Sequence, residues 1–344
     1  MSDQHDPMER IDPELRTPLE SYLKLVPDTA ATAGPELLAG IRGWGRATAK
    51  SFLAAPSVTE RQVPVRDGAP NVMVYLINSD PDVVRPAVLH IHGGGFIAGS
   101  AFASVADLQV QAKALDCVIV TVEYRLAPET AFPGALEDNY AALLWLHRNA
   151  QALGVDRARI AIQGESAGGG HAAMLALAAR DRGEVPICLQ ALTYPMVDDR
   201  TGSARQPPAH VGTHIWTRQL NVLGWTALLG GPPGGETAPA GAVPARASDL
   251  SGLPPAFIAV GDIDLFVDED VAFAGRLMAA NVPTELLVIP GAFHGFYVLA
   301  PNARVSRRYQ LAHLNALARA FGRPELLEPP QAAPWGAPAE AAAG

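Results

Sequence analysis

Arg159-Ile160-Ala161-Ile162-Gln163-Gly164-Glu165-Ser166-Ala167-Gly168 is the stretch on which the fold turns. Its first half is an apolar run that reads as a buried strand, and Ala-rich, helix-like sequence follows it. Two glycines around a serine at such a junction let the backbone turn sharply without a Cβ clash. The turn lifts the Ser166 hydroxyl above the end of the sheet, where it is free to react. The pentapeptide alone carries modest weight in a chain with 32 glycines among 344 residues. Its weight comes from its partners.

Upstream, His92-Gly93-Gly94-Gly95-Phe96 follows the strand-like run Ala87-Val88-Leu89-His90-Ile91, which places a glycine loop at a strand's C-terminal end. Downstream, Asp264 follows Ala256-Phe257-Ile258-Ala259-Val260, and His294 follows Thr284-Glu285-Leu286-Leu287-Val288-Ile289-Pro290. A serine hydroxyl is a weak nucleophile at neutral pH and needs a base within hydrogen-bond reach, a task that suits histidine. His294 is the candidate, with packing among Phe293 and Phe296 as the plain alternative. A carboxylate must hold the imidazole in the right tautomer, and Asp262, Asp264 and Asp268 compete for that place. Asp268 opens a helix beginning Asp268-Glu269-Asp270, where acidic side chains favour the dipole, and Asp262 is close enough to the strand to shape its turn. Asp264 is therefore assigned to the triad.

Backbone amides at Gly94, Gly95 and Ala167 can face the oxyanion of a tetrahedral intermediate, and each such donor typically contributes about 2.7 to 4 kcal/mol. The glycine loop has neither the lysine of a P-loop nor the spacing of a dinucleotide fingerprint. His210 and His214 stand four apart, but Gly212 lies between them and there is no accompanying HExxH glutamate, so no metal site is expected. His90, His147 and His171 read as packed or surface residues, and His92 as a brace for the glycine loop. Trp216 and Trp225 are candidates for an acyl pocket or for packing.

The whole chain fits an α/β domain. Between Ala87 and Tyr194 strand-like and helix-like segments alternate, which implies a mostly parallel sheet covered by helices on both faces. The expected organisation is a helical N-terminal part of a cap over residues 1–58, a core over 59–197 and 254–323, a cap insertion over 198–253, and a disordered tail over 324–344. The insertion is inferred because about 55 residues carrying Pro207-Pro208 and Gly230-Gly231-Pro232-Pro233-Gly234-Gly235 break the rhythm, and loops of that length are usually functional. Strands at Val63 to Val65 and Val72 to Ile77, joined by a turn at Asp67-Gly68-Ala69-Pro70, are expected to open the core as a hairpin.

Composition narrows the function further. A formal charge of −9 argues against nucleic acid. No apolar stretch reaches the roughly 18 to 20 residues of a membrane span, and the polar start Met1 to Glu9 gives no secretory signal. Cys117 and Cys188 read as thiols rather than a disulfide. A cytoplasmic protein is expected, with a homodimer through exposed strand or helix surface standing beside a monomer.

Taken together, these motifs resemble the hormone-sensitive-lipase-like carboxylesterases, the bacterial family IV esterases of the α/β-hydrolase superfamily. The resemblance covers about Val63 to Phe321 and rests on His92-Gly93-Gly94-Gly95-Phe96, Tyr124-Arg125-Leu126-Ala127-Pro128-Glu129, Gly164-Glu165-Ser166-Ala167-Gly168-Gly169, Leu253-Pro254-Pro255, Asp264-Leu265-Phe266-Val267-Asp268-Glu269 and His294-Gly295-Phe296. The order serine, aspartate, histidine along the chain agrees with it. The resemblance implies an α/β-hydrolase fold with a two-part cap and no cofactor, acting on small-molecule esters of short to medium acyl chains. Glu165 replaces the aspartate of many members, and Leu265 the proline that often follows the triad aspartate. The same machinery would also serve an amidase or lactonase of arylformamidase type, while a non-catalytic receptor resembling the plant gibberellin receptors would lack the histidine kept here.

Overall fold

A computed structural model describes residues 8–25, 35–47, 50–66 and 68–331. Among them one eight-stranded sheet forms the centre. Its strands are β1 (Val58–Val63), β2 (Val72–Ile77), β3 (Arg85–Ile91), β4 (Val118–Glu123), β5 (Val155–Glu165), β6 (Leu189–Thr193), β7 (Ala256–Gly261) and β8 (Thr284–Ile289). They lie in the order β1-β2-β4-β3-β5-β6-β7-β8. Only β2 runs against its neighbours, pairing antiparallel with β1 and β4. All other pairs are parallel.

The opening hairpin forms, but its first strand is Val58–Val63 rather than Val63 to Val65. Thr59 to Gln62 are exposed at the sheet's edge, so the segment has no apolar alternation by which to read it. Of the expected turn, Asp67 lies outside the described residues, and the Ala69 amide donates to the Arg66 carbonyl across it. The inner strands are the reverse case. Val88, Leu89, Ile91, Ile160, Ala161 and Ile162 are fully buried, as continuous apolar runs covered on both faces should be.

Parallel neighbours require crossover connections, and helices supply them. The helices α3 (Ala101–Leu115) and α4 (Gly134–Arg148) both pack on β2 and β4. Further along, α3 joins α10 (Arg304–Ala320) and α4 joins α6 (Ala167–Arg182), which covers the two faces. The helix α8 (Val267–Ala279) packs on β7 and β8. No helix among the described residues is long and apolar enough to cross a membrane. Cys117 and Cys188 are free thiols, raised by burial to about 12 and about 11.

Three segments outside the sheet rest on the loops at its C-terminal edge. The helix α1 (Pro13–Leu25) follows a chain entry in which the Asp12 amide donates to Gly291 O, next to the His294 loop. From α2 (Pro35–Ala47), Arg42 donates to Ile97 O at 2.7 Å and Ala127 O at 3.0 Å and pairs with Glu129. The mid-chain segment carries α7 (Arg218–Leu229), whose Leu228 carbonyl accepts from Phe132 N. Its loops are held by buried Asp199, which binds Arg246 at 2.7 Å and the Gly234 amide at 2.8 Å.

At the C-terminus, residues 324–331 have neither helix nor strand. They are nonetheless tied to the core: Asn315 exchanges two hydrogen bonds with the Leu326 backbone, and Pro329 is buried. Residues 332–344, the rest of the expected disordered tail, lie outside the described residues.

Candidate active site

Ser166 sits at the junction of β5 and α6 with φ 56° and ψ −122°, a backbone region that side chains rarely adopt. The surroundings fix that conformation. The Ser166 amide donates to Thr193 O, and the Ser166 carbonyl accepts from the amides of Gly170 and Met196. Gly168 is required because a Cβ there would stand 2.0 Å from the Ile91 carbonyl of β3. Helix and strand can approach this closely only without a side chain. The result is a serine held under strain where it meets the cavity.

His294 lies in the loop after β8. Its Nε2 is 3.0 Å from Ser166 Oγ and its Nδ1 is 2.9 Å from Asp264 Oδ2. All three side chains are buried, at 4%, 7% and 0% exposure for Ser166, His294 and Asp264. An ionised carboxylate at Nδ1 keeps the proton on that nitrogen, leaving the Nε2 lone pair to accept from the serine hydroxyl. The Asp264 carboxylate is itself oriented, since its Oδ1 accepts from Phe266 N at 3.0 Å. Tyr194 and Phe266 flank the imidazole, with ring centroids at 4.4 Å and 5.3 Å.

The competing aspartates are placed elsewhere. Asp262 Oδ1 accepts from the Gly291 amide at 2.7 Å and so shapes the turn before the histidine loop, while Asp268 is exposed in the first turn of α8. The glycine loop borders the serine: Gly93, Gly94 and Gly95 line the same cavity as Ser166. Among the described residues the amides of Gly94, Gly95 and Ala167 have no protein acceptor, so all three can donate to a ligand. Gly94, at φ 128°, has no room for a side chain, because a Cβ would lie 2.1 Å from Ala98 O.

His92 steadies this loop. Its Nδ1 is 2.9 Å from Gly93 O, its ring stacks on Tyr124 at 4.2 Å, and the Tyr124 hydroxyl donates to the His92 carbonyl. Burial lowers its pKa to about 4, so it stays neutral. His171, buried between Phe96 and Tyr124, is lowered to about 3 for the same reason. His210 is exposed and His214 half-buried, and no group of metal-ligating side chains exists among the described residues.

The cavity has a volume of about 490 Å³. Trp216 forms part of its wall, placed against Gly95, whose Cβ would meet the indole at 1.9 Å. Trp225 is fully buried and only packs, on Phe96 at 4.9 Å. The sequence offered no means of separating these two tryptophans. It also missed a pair lining the cavity: Glu165, next to the serine, lies with both carboxylate oxygens 3.2 to 3.3 Å from His90 Nε2.

Residues 88–298 match a family model described as alpha/beta hydrolase fold. The chain is 34% identical over 323 residues to the carboxylesterase NlhH of Mycobacterium tuberculosis, covering 90% of this chain and 96% of that protein. A solved structure titled bacterial heroin esterase is similar with a TM-score of 0.79 at 36% identity, over 92% of this chain and 99% of that one. The hyperthermophilic esterase of the archaeon Pyrobaculum calidifontis superposes with a TM-score of 0.77 at 28% identity, over 91% and 98%. This chain therefore belongs to the α/β-hydrolase fold family, in its hormone-sensitive-lipase-like branch.

Proposed function

We propose that the protein is a serine carboxylesterase, with Ser166 as nucleophile, His294 as general base and acid, and Asp264 as the group that orients His294. The unbroken hydrogen-bonded line Asp264–His294–Ser166, at 2.9 and 3.0 Å, carries this reading. Relatives named carboxylesterase and ethyl acetate hydrolase support the ester as substrate.

In the first half of the reaction Ser166 Oγ attacks the ester carbonyl carbon while its proton passes to His294 Nε2. The carbonyl oxygen becomes an oxyanion facing the amides of Gly94, Gly95 and Ala167. Asp264 stabilises the imidazolium without taking its proton. Collapse breaks the bond to the alcohol oxygen, which leaves with the proton from Nε2. Water then attacks the acyl-enzyme, again giving its proton to Nε2, and the acid departs as Ser166 regains a proton. The cavity volume suits acyl groups of short to medium length. The segments over residues 1–58 and 198–253 act as a two-part cap, supported by their contacts with the glycine loop and the histidine loop.

Ser166→Ala is expected to lower kcat on short-chain p-nitrophenyl esters by roughly 10⁴-fold or more. Hydrolysis by this variant at the wild-type rate would overturn the assignment. A cytoplasmic location and a homodimer belong to the same reading, the latter checked by sedimentation of the full chain.

A further inference from the structure

The cavity wall beside the serine carries a carboxylate. Glu165 lines the cavity beside Ser166, and its side chain keeps 23% exposure. The single protein donor found for it among the described residues is His90 Nε2, whose other ring nitrogen meets Thr121 Oγ1 at 2.8 Å. A carboxylate can accept about four hydrogen bonds, so most of its capacity is left for whatever enters. Burial raises the Glu165 carboxyl, but its contacts with His90 outweigh that and hold it below the usual carboxylate range, so it is ionised at neutral pH.

Aromatic rings also line this cavity. From His294 the rings of Tyr194, Tyr297 and Tyr309 run in sequence at centroid separations of 4.4, 6.0 and 4.6 Å, and all three tyrosines line the cavity. His313, which also lines it, is lowered by burial to about 4 and so brings no charge near pH 7. The one lysine in the wall, Lys50, is paired at 2.8 Å with Asp107, whose side chain is 54% exposed. A carboxylate set among electron-rich rings is a composition that attracts a cation rather than a neutral alkyl group.

Resting on the esterase reading, we propose that Glu165 and the Tyr194–Tyr297–Tyr309 wall form a subsite for an ammonium group, so that the preferred substrates are esters carrying a basic or quaternary amine. Glu165 acts there as a specificity-determining residue, with the tyrosine rings supplying the remainder of the cation's environment.

The decisive comparison is between acetylcholine and its uncharged carbon isostere, 3,3-dimethylbutyl acetate, as substrates of the full chain. The wild type is expected to favour the cationic ester by about ten-fold or more in kcat/KM, and Glu165→Gln to bring the ratio to within about two-fold of unity, whatever its absolute rates. Tyr297→Leu, away from the nucleophile, is a second variant expected to lower the ratio several-fold. A wild-type ratio near one, with the neutral ester turned over well, overturns the ammonium subsite and leaves the esterase intact. A ratio that persists in Glu165→Gln overturns the role of Glu165. If neither ester is cleaved while Ser166 also fails to react with a fluorophosphonate, the esterase reading itself fails.

Discussion

Asp264 is the residue whose contribution separates most cleanly from folding. Asparagine at that position keeps the shape but presents an amide to His294 Nδ1, where an anion now stands at 2.9 Å. The imidazole then gains nothing from carrying its proton on Nδ1, and its cation loses the nearest counter-charge. Asp264→Asn is expected to lower kcat by on the order of 10³- to 10⁴-fold with little change in KM, measured on a short-chain ester. A loss under ten-fold would reassign the carboxylate role. At this scale the sequence was informative where chemistry depends on motif: the glycine pair around Ser166, the glycine loop and the histidine after a strand all point to one function. Glu165 was visible as a departure from the common aspartate, but its importance was not. Only the three-dimensional register of β3 against β5 brings His90 beside it, with His90 paired to Gln163 and Ile91 to Gly164.

Among the elements, α2 is tied to the region of the glycine loop through Arg42. Arg42 makes two hydrogen bonds to carbonyls of Ile97 and Ala127 and a forked pair with Glu129. Glu129 is 60% exposed, so its ion pair is screened, and the bonds to partly buried carbonyls matter more. Charge-assisted bonds of that kind contribute about 1.5 to 3 kcal/mol each, net of the exchange with water. Arg42→Ala is expected to speed amide exchange in α2 while leaving β3 and β5 protected; unchanged exchange in α2 would refute the anchoring role. The helix falls within the expected helical N-terminal part, and strand-helix alternation revealed the parallel sheet. The anchor itself was illegible, since an arginine 55 positions before its carbonyl partner leaves no periodic trace. The edge strand β1 escaped correct placement for a related reason: exposed on most of its length, it has no burial to impress a pattern on the sequence.

Stability of the whole molecule against pH follows from buried groups that oppose one another. His92, His171 and His313 are lowered by burial to about 4, 3 and 4. Between pH 6.5 and about 4 the unfolded chain binds protons at these positions that the native state refuses, so the stability they give above 6.5 is lost as pH falls. Glu269 behaves in the opposite sense. Buried on α8 with Oε1 accepting from Val197 N and Asp198 N, it is raised to about 8, and the neighbouring Asp270, both of whose carboxyl oxygens are unpartnered among the described residues, is also raised well above its usual value. These two favour the native state below their unfolded pKa values and lose that advantage as pH rises, Glu269 through about 8. Each unmatched proton changes the slope by about 1.4 kcal/mol per pH unit. From 6.5 down to about 4.5 the lowered histidines, to which His147 and His214 add, outweigh the raised acids, to which Glu123 adds, whereas above 6.5 the raised acids act without them. The melting temperature is therefore expected to peak near pH 6.5 and to fall on both sides. Glu269→Gln retains the oxygen that accepts from Val197 and Asp198, so it should raise the melting temperature at pH 8 to 9 and leave it nearly unchanged at pH 5. His171→Phe should flatten the acid side instead. Thermal melts of the three proteins from pH 4.5 to 9 test this balance, and a wild-type curve still rising above pH 8 would contradict it.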